Sequence, residues 1–393
     1  MPMFTPSGDL PVSRIPLRGS GAALALLAAV VLAACSSTSD KQAKPAALTP
    51  IAAPVGLHQA WEVDVGDCEG SFLQPSVQEN ALYAASRKGA LLRIDPATGR
   101  EIWRVQVEGG IAAGVGSDGL TVAVAGPRGN VVAFDASGAR LWEAQASSDI
   151  IAPPLVGHAL VIVRSTDQRI AAYDIASGKR LWVYQKQQPA LSLRIEANMV
   201  FVGDSVVVGF PGGRLAAIAL ANGAGRWEAG VSEPKGATEV ERLADVFGVP
   251  AVTATDVCSA SYQGRIACFD PRSGDLHWAR EFSAGTGVLI AGDAVVGVDT
   301  ASHLSAFTRA SGASLWQSSA LLNRNLSAPV LIGKYVAVGD LEGKIHLLRL
   351  DDGSLAGRFE GGRGALISTP QPWNGGAIIQ TDRGRVYLLT LAS

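Results

Sequence analysis

The stretch KGALLRIDPATGREIW, residues 88–103, contains the pattern that decides the fold. A glycine opens a mainly apolar strand, an Asp and a second Gly mark the next turn, and a Trp follows that Gly four residues later. The same frame recurs along the chain at intervals of about 40 residues, which is the length of a propeller repeat. Eight units keep all or part of this frame: residues 88–103, 128–142, 168–182, 212–227, 263–278, 302–316, 342–357 and 383–393.

Each part of the repeat has a physical role in a four-stranded blade. The first Gly provides the positive φ that a tight hairpin needs, and the Asp side chain can accept hydrogen bonds from backbone amides of the second turn. The Trp can bury its large ring against the neighbouring unit and so set the spacing between sheets. The repeat therefore predicts an all-β fold, an eight-bladed β-propeller of four-stranded antiparallel blades.

The two ends of the chain are expected to close the ring together. The eighth unit stops before its Trp position, whereas HQAWEVDVG near the N-terminus has Trp61 placed 42 residues before Trp103. We predict that residues 59–65 pair beside residues 384–391, which would remove an exposed sheet edge. Blade seven departs from the pattern, because Gly357 occupies its Trp position. A linear solenoid is the alternative, but it would need capping units.

Composition excludes several functions. Of the 393 residues 48% are hydrophobic and 17% are charged, so the chain can bury a large core. Its net charge of −2 removes the main electrostatic attraction for nucleic acid. The five histidines lack metal-ligand spacing and no G-x-S-x-G occurs. A G-x-G-x-x-G match at residues 114–119 precedes a strand pattern, so we interpret it as a hairpin turn.

The N-terminus has the features of an export signal. Arg14 and Arg18 precede an apolar run from Gly21 to Ala34, which is shorter than the roughly 20 residues that span a bilayer. The run ends in LAAC, which resembles the lipobox of bacterial lipoproteins. We expect a signal peptide at 1–34, lipidated Cys35 with a flexible tether at 35–57, and the propeller at 58–393. A simple signal-peptidase site with a chance cysteine is the alternative.

The remaining cysteines suggest one pairing. Cys258 and Cys268 flank the turn SYQGR at nearly equal distances on neighbouring strands. A disulfide in an oxidising compartment and two buried thiols are both compatible with this spacing. In either case Cys68 would be unpaired.

Two adjacent connections between blades are longer than the others. One runs from Trp182 to Asn198 and contains PALSLR, and the next runs from Trp227 to Pro250 and contains SEPKGATEVERLADVFG. Because the blades already fill the core, we expect these loops to present apolar residues beside charged ones, as a contact surface does. The alternative is that the leucines fold back onto the propeller edge. The charged residues of the second loop have a spacing compatible with a helix.

The repeat resembles the pyrroloquinoline-quinone type of blade. Quinoprotein dehydrogenases with such blades have adjacent cysteines and a calcium-binding carboxylate cluster, and this sequence has neither, so no cofactor and no catalysis are expected. The lipobox, the blades and the motifs PALSLR and GATEVERLADV together resemble the BamB family, lipoproteins of the outer-membrane β-barrel assembly (BAM) complex. A generic ligand-binding propeller lipoprotein is a further alternative that would not need the two loop motifs.

This resemblance implies a non-catalytic scaffold, lipid-anchored in the outer membrane and facing the periplasm. Its implied partners are the periplasmic POTRA domains of BamA, the other BAM subunits and unfolded outer-membrane protein precursors. The implied partner-binding residues are Leu191, Leu193, Arg194 and Asp245. The family pattern has a second acidic residue where this chain has Phe247.

Overall fold

Eight sheets, each built around four antiparallel strands, form the described part of the chain and confirm the eight-bladed β-propeller. The computed structural model of the protein describes residues 43–187, 191–193, 198–366 and 368–392. One compact unit comprises Pro45–Ser393, and all strands of the described residues lie in it. In blades 1 to 7 the four strands pair in the order in which they follow along the chain, as the short turns of the repeat require.

The strands are grouped in the blades as follows. Blades 1 to 4 contain, in turn, β3 (Ser76–Gln78), β4 (Ala81–Ala85), β5 (Ala90–Ile94) and β6 (Glu101–Gln106); β7 (Ala113–Ser117), β8 (Thr121–Ala125), β9 (Asn130–Asp135) and β10 (Arg140–Gln145); β11 (Leu155–Gly157), β12 (Leu160–Arg164), β13 (Arg169–Asp174) and β14 (Arg180–Gln185); β15 (Met199–Val202), β16 (Ser205–Phe210), β17 (Arg214–Ala219) and β18 (Gly225–Gly230). Blades 5 to 8 contain, in turn, β19 (Val246–Val252), β20 (Val257–Ser261), β21 (Gly264–Phe269) and β22 (Leu276–Phe282); β23 (Leu289–Ala291), β24 (Ala294–Val298), β25 (Leu304–Thr308) and β26 (Ser314–Ser318); β27 (Val330–Ile332), β28 (Tyr335–Gly339), β29 (Ile345–Arg349) and β30 (Leu355–Phe359); β31 (Gln371–Trp373), β32 (Gly376–Gln380) and β33 (Arg385–Leu391) with β1 (Leu57–Asp64).

Two short elements lie outside this scheme. β2 (Phe72–Leu73) pairs in parallel with β7 and gives blade 2 a fifth strand. One turn of 3₁₀ helix, Pro127–Gly129, forms the turn before β9. The G-x-G-x-x-G match at residues 114–119 falls in β7 and the turn after it, as expected for a hairpin.

Alternating strand directions give the ring two different faces. Turns between the first and second and between the third and fourth strands lie on one face, which we call the turn face. Turns between the second and third strands and the connections between blades lie on the other, which we call the loop face. On the loop face, backbone hydrogen bonds join the connection that enters a blade to the turn between that blade's second and third strands. Examples are Thr166 N–H to the Asp149 carbonyl at 2.8 Å and Leu341 N–H to the Arg324 carbonyl at 3.0 Å.

The repeat tryptophans interlock adjacent blades, as the sequence pattern predicts. Trp182 donates its Nε1–H to the Leu220 carbonyl in the turn between the third and fourth strands of blade 4, at 2.7 Å. A Cβ added to Gly223 of that turn would lie 2.7 Å from the Trp182 ring, and this Gly has φ of 71°. The same bond, at 2.6–3.1 Å, joins Trp61 to Pro96, Trp103 to Ala136, Trp142 to Ile175, Trp227 to Pro271, Trp278 to Arg309 and Trp316 to Leu350.

The Asp of the repeat stabilises the turn that receives each Trp. In blade 1 an oxygen of Asp95 accepts hydrogen bonds from Ala97 N–H and Thr98 N–H at 2.9 and 3.2 Å. These bonds lower the pKa of Asp95, since they favour the charged carboxylate. The Asp and Gly of the repeat thus build the surface onto which the preceding blade's Trp packs.

The ring closes through the two chain ends as predicted. β1 pairs antiparallel with β33, from Leu57 opposite Leu391 to Asp64 opposite Arg385. Blade 8 therefore takes three strands from the C-terminal end and its outer strand from near the N-terminus.

The predicted flexible tether, residues 35–57, is too long, because its second half belongs to the folded part of the chain. The compact unit begins at Pro45, and Ala46 N–H donates to the Leu322 carbonyl at 2.8 Å while Val55 N–H donates to the Ala356 carbonyl at 2.7 Å. Residues 45–56 thus lie on blade 7 before the chain enters β1. Cys35 and the predicted signal peptide lie outside the described residues.

Cys258 and Cys268 are directly opposed on β20 and β21, and their sulfur atoms are bonded. Of the three cysteines in the described ranges, Cys68 is the one outside a disulfide, and burial raises its thiol pKa to about 11. Its sulfur accepts a hydrogen bond from Gln380 Nε2 at 3.1 Å.

We predict that this disulfide forms in the exported protein. In the body comprising residues 36–393, alkylation after denaturation should label one cysteine without reduction and three after reduction, as read by intact mass. The double variant Cys258→Ala with Cys268→Ala should lose about 2–3 kcal/mol of stability, because the short loop between the strands is no longer closed in the unfolded chain. Labelling of all three cysteines before reduction would contradict the prediction.

Candidate partner-binding surface

The two long connections lie next to each other on the loop face and are joined by a buried carboxylate. Asp245, at the end of the second loop, accepts a hydrogen bond from Leu193 N–H in the first loop at 2.6 Å. Its other oxygen lies 3.4 Å from the donor N–H of Gly212, in the turn after β16. The side chain therefore holds the first loop against blade 4 and the start of blade 5.

Asp245 is only 3% exposed, which corrects its expected role as a surface contact. Burial raises the pKa of Asp245, while the N–H groups of Leu193 and Gly212 and the nearby Arg164 act in the opposite direction. Both carboxylate oxygens face backbone amides of the protein's own loops. In this structure Asp245 fixes the first loop at Leu193 and does not present a charge to solvent.

Arg164 is a buried residue of this site that sequence reasoning did not select. It ends β12, donates to the Gly209 carbonyl at 2.7 Å and to Gln168 Oε1 at 2.8 Å, and lies over the Phe210 ring at 5.3 Å. Burial lowers its pKa to about 10 and Asp245 opposes this shift, so the guanidinium is protonated at neutral pH. Arg164 therefore provides the positive charge beside the buried Asp245.

A comparison of the repeats could have found Arg164. Alanine occupies the equivalent register position in blades 1, 2 and 5, at Ala85, Ala125 and Ala260. Blade 8 has Gln380 there, whose Nε2 donates to the Ala85 carbonyl at 2.9 Å, as Arg164 donates to the equivalent carbonyl of blade 4. Polar side chains at this position join neighbouring blades near the loop face.

Two large apolar side chains are exposed among the described residues of the long loops. Leu191 of the first loop is 43% exposed and Val240 of the second is 60% exposed, whereas Leu193 is half-buried. Arg194, the remaining predicted contact, lies outside the described residues. Val240 was missed because the mixed charges around it indicated a polar rim, although an apolar residue within a charged loop is itself a signal of contact.

The second loop forms a single turn and not the helix that its spacing allowed. Glu241 accepts hydrogen bonds from Ala237 N–H and Thr238 N–H at 2.7 and 3.1 Å, and its own N–H donates to Thr238 Oγ1 at 3.3 Å. These amides lower the pKa of Glu241. The turn ends at Leu243, which is buried and holds the loop against the propeller. Exposed Glu239 and Arg242 pair at 3.3 Å beside Val240.

Phe247 is half-buried in β19, with its ring 6.5 Å from that of Tyr262. It lines a cavity of 310 Å³ together with Phe72 of β2 and the connections that precede blades 6, 7 and 8, so the cavity lies near the ring axis. The position where the family has a second acidic contact is therefore apolar in this chain and is partly covered by its own fold.

Within the described ranges, no three or more His, Cys, Asp or Glu side chains are grouped so that they could hold a metal ion. No helix there has the length and apolar character needed to cross a bilayer.

Sequence comparison identifies the family. A family model described as "Outer membrane protein assembly factor BamB" matches residues 58–111 and 87–318. The chain belongs to the BamB family. A BamB from Bordetella pertussis is 41% identical over 377 residues, which cover 95% of this chain and 98% of that relative.

Solved structures agree with this membership and with the propeller fold. The crystal structure of BamB from Moraxella catarrhalis has a TM-score of 0.78 and 30% identity, and the match covers 85% of this chain and 100% of that one. A quinohemoprotein alcohol dehydrogenase from Comamonas testosteroni has a TM-score of 0.63 at 14% identity, over 86% of this chain and 77% of that one. The second likeness concerns the fold alone.

Proposed function

We propose that this member of the BamB family is a non-catalytic outer membrane protein assembly factor of the BAM complex, which docks on the periplasmic POTRA domains of BamA through its two long loops. Family membership supports the assembly role, because the relatives that match over nearly their whole length are named as assembly factors. The observation that carries the docking proposal is the pair of exposed apolar side chains, Leu191 and Val240, on adjacent loops that Asp245 joins.

The geometry suits a small interface of defined shape. The apolar tips are flanked by the paired charges of Glu239 and Arg242, which is the arrangement of an apolar centre and a polar rim found in protein interfaces. Because Asp245 already fixes the backbone of the first loop at Leu193, little conformational entropy would be lost there on binding. We infer that the surface is organised before a partner arrives.

Lipid anchoring at Cys35 would complete this mechanism. A chain attached to the periplasmic surface of the outer membrane meets a membrane-embedded partner at a raised effective concentration, so a modest interface is sufficient. The resemblance of LAAC to a lipobox supports this part of the proposal. The same placement would bring the propeller close to unfolded outer-membrane protein precursors and the other BAM subunits.

The double variant Leu191→Ser with Val240→Ser should weaken binding to purified BamA periplasmic domains by about tenfold or more, because each truncation removes an apolar anchor of about 1 kcal/mol or greater. Titration of the soluble body, residues 36–393, with calorimetry would measure it. Arg194→Glu tests the contact predicted from the sequence, and Asp245→Ala tests whether a released first loop binds more weakly.

Leu120→Ser is the matched control. Leu120 is 75% exposed in the turn between β7 and β8, on the turn face, so its replacement should leave both affinity and melting temperature unchanged. An unaltered affinity of the folded double variant, or an equal loss with Leu120→Ser, would place the interface elsewhere on the ring.

A further inference from the structure

Gly357 is where blade 7 departs from the repeat, and the structure supplies a physical reason. It lies on β30 at the position of the interlocking Trp, and a Cβ added there would be 2.5 Å from the backbone oxygen of Val55. The N-terminal segment therefore occupies the place that a side chain would take. Glycine at this position allows the two backbones to approach.

The ring closure explains why a Trp would have no partner at this junction. Each interlocking Trp donates to a carbonyl in the turn between the third and fourth strands of the next blade, as Trp316 does to Leu350. In blade 8 those strands are β33 and β1, which come from opposite ends of the chain, so no turn connects them. The chain that enters β1 covers the outer strand of blade 7 instead, with Val55 N–H bound to the Ala356 carbonyl at 2.7 Å.

Two arginines of blade 7 hold this segment from the loop face. Arg324 Nη1 donates to the Ala46 carbonyl at 3.0 Å and Arg358 Nη2 donates to the Thr49 carbonyl at 3.2 Å. Between these contacts Leu48 is half-buried and packs against the apolar cluster of blades 6 and 7. Polar and apolar contacts thus alternate along residues 45–56.

Arg324 is itself fixed by a buried network. Its side chain is 4% exposed, and Nε and Nη2 bind Asp340 Oδ2 and Glu342 Oε2 at 2.7 and 2.6 Å. His346 Nε2 donates to the same Asp340 oxygen at 2.9 Å and His346 Nδ1 accepts from Arg358 Nε at 3.2 Å. The donors that hold Ala46 and Thr49 are therefore preorganised by the core of blade 7.

We propose that residues 45–56 form a strap that takes the place of an eighth interlocking Trp and fixes where the membrane-anchored leader leaves the propeller. The exit point, beside Leu322, lies in the connection between blades 6 and 7, on the same face as the two long loops. It is three blades further round the ring than the first long loop and two further than the second. The distance that this strap sets between the propeller and the membrane rests on the proposed lipidation of Cys35.

A docked strap shortens the reach of the anchor. Ten residues, 35–44, would separate the lipidated cysteine from the strap, and ten residues span at most about 36 Å. Without the strap the connection would include 22 residues, 35–56, and could span about 80 Å. The strap therefore keeps the exit point on the loop face within about 36 Å of the membrane surface.

Hydrogen exchange of the soluble body, residues 36–393, tests the strap without lipid or partner. The donor amides of Ala46 and Val55 should exchange at least tenfold more slowly in the wild type than in Gly357→Trp, whose ring displaces Val55. Val55→Pro removes the donor to Ala356 without altering blade 7 and should release Ala46 in the same way. Gly225→Ala is the matched control, since its Cβ would meet Tyr184 at an ordinary 3.6 Å on the outer strand of blade 4.

Energy transfer in vesicles tests the positional consequence with the full lipoprotein. A donor on Ser319→Cys and acceptor-labelled lipid should give higher transfer with the strap intact than with Val55→Pro. Absence of vesicle binding would refute the lipidation and leave the exchange result standing. Fast exchange of the Ala46 and Val55 amides in the wild type would overturn the strap proposal. Equal energy transfer in the vesicle-bound wild type and the vesicle-bound Val55→Pro variant would overturn it as well.

Discussion

Substitution of Trp182 by alanine is expected to lower the free energy of unfolding by about 3–5 kcal/mol. The ring is 8% exposed, fills the junction between blades 3 and 4, and donates to the Leu220 carbonyl, which would lose this partner. The turn glycine Gly223 lies directly against it, so the neighbouring backbone cannot collapse easily into the space. Urea unfolding at neutral pH, followed by circular dichroism, would measure the loss.

Leu181→Ala is the control for this experiment. Leu181 is adjacent in sequence but 51% exposed on the outer strand, so its truncation should change stability by no more than about 0.5 kcal/mol. Similar losses for both variants would mean that the interlock does not hold the blades together.

Substitution of Asp340 by alanine is expected to cost about 3–5 kcal/mol, because it leaves Arg324 buried without its main counter-charge. Asp340 is fully buried and accepts hydrogen bonds from Arg324 and His346. The loss should appear as a lower urea midpoint, and exposed Asp293→Ala should leave that midpoint unchanged. A midpoint equal to that of the wild type in Asp340→Ala would show that the network does not stabilise blade 7.

The same network predicts a dependence on acid. Burial alone would raise the pKa of Asp340, but the bonds from His346 and Arg324 outweigh burial and lower it to about 2. A carboxyl whose pKa is depressed on folding stabilises the folded state above its unfolded pKa of about 4 and loses this contribution as the pH falls through its folded pKa. About 2 kcal/mol should disappear between pH 4 and pH 2, and this part of the acid transition should be absent in Asp340→Asn.

Local residue chemistry explains which parts of the fold could be predicted. Asp95 and Gly99 build their turn with neighbours a few residues away, and Trp103 contacts the next unit of the same repeat. Because such interactions recur at a fixed period, their pattern is visible without coordinates. Ring closure followed from the same logic, since the missing outer strand of blade 8 had one candidate, around Trp61.

The candidate partner-binding surface was predictable only in outline. Unusual length marked both loops, and Leu191 is exposed as expected, but Asp245 is buried. Its carboxylate binds Leu193 N–H, 52 positions away in sequence, and the charge of Arg164 lies on another blade. Which residue of a loop faces solvent depends on such distant partners.

The sequence by itself determined the all-β class, the number of blades, the closure of the ring and the family, because each depends on a repeated local motif or on specific loop motifs. Only the tertiary structure decided that Asp245 is buried against Leu193, that Val240 is exposed and that residues 45–56 are bound to blade 7. Gly357 shows the reason. Its departure from the repeat was visible in the sequence, but the backbone of Val55 that requires it lies about 300 residues earlier in the chain and comes into contact only when the ring closes.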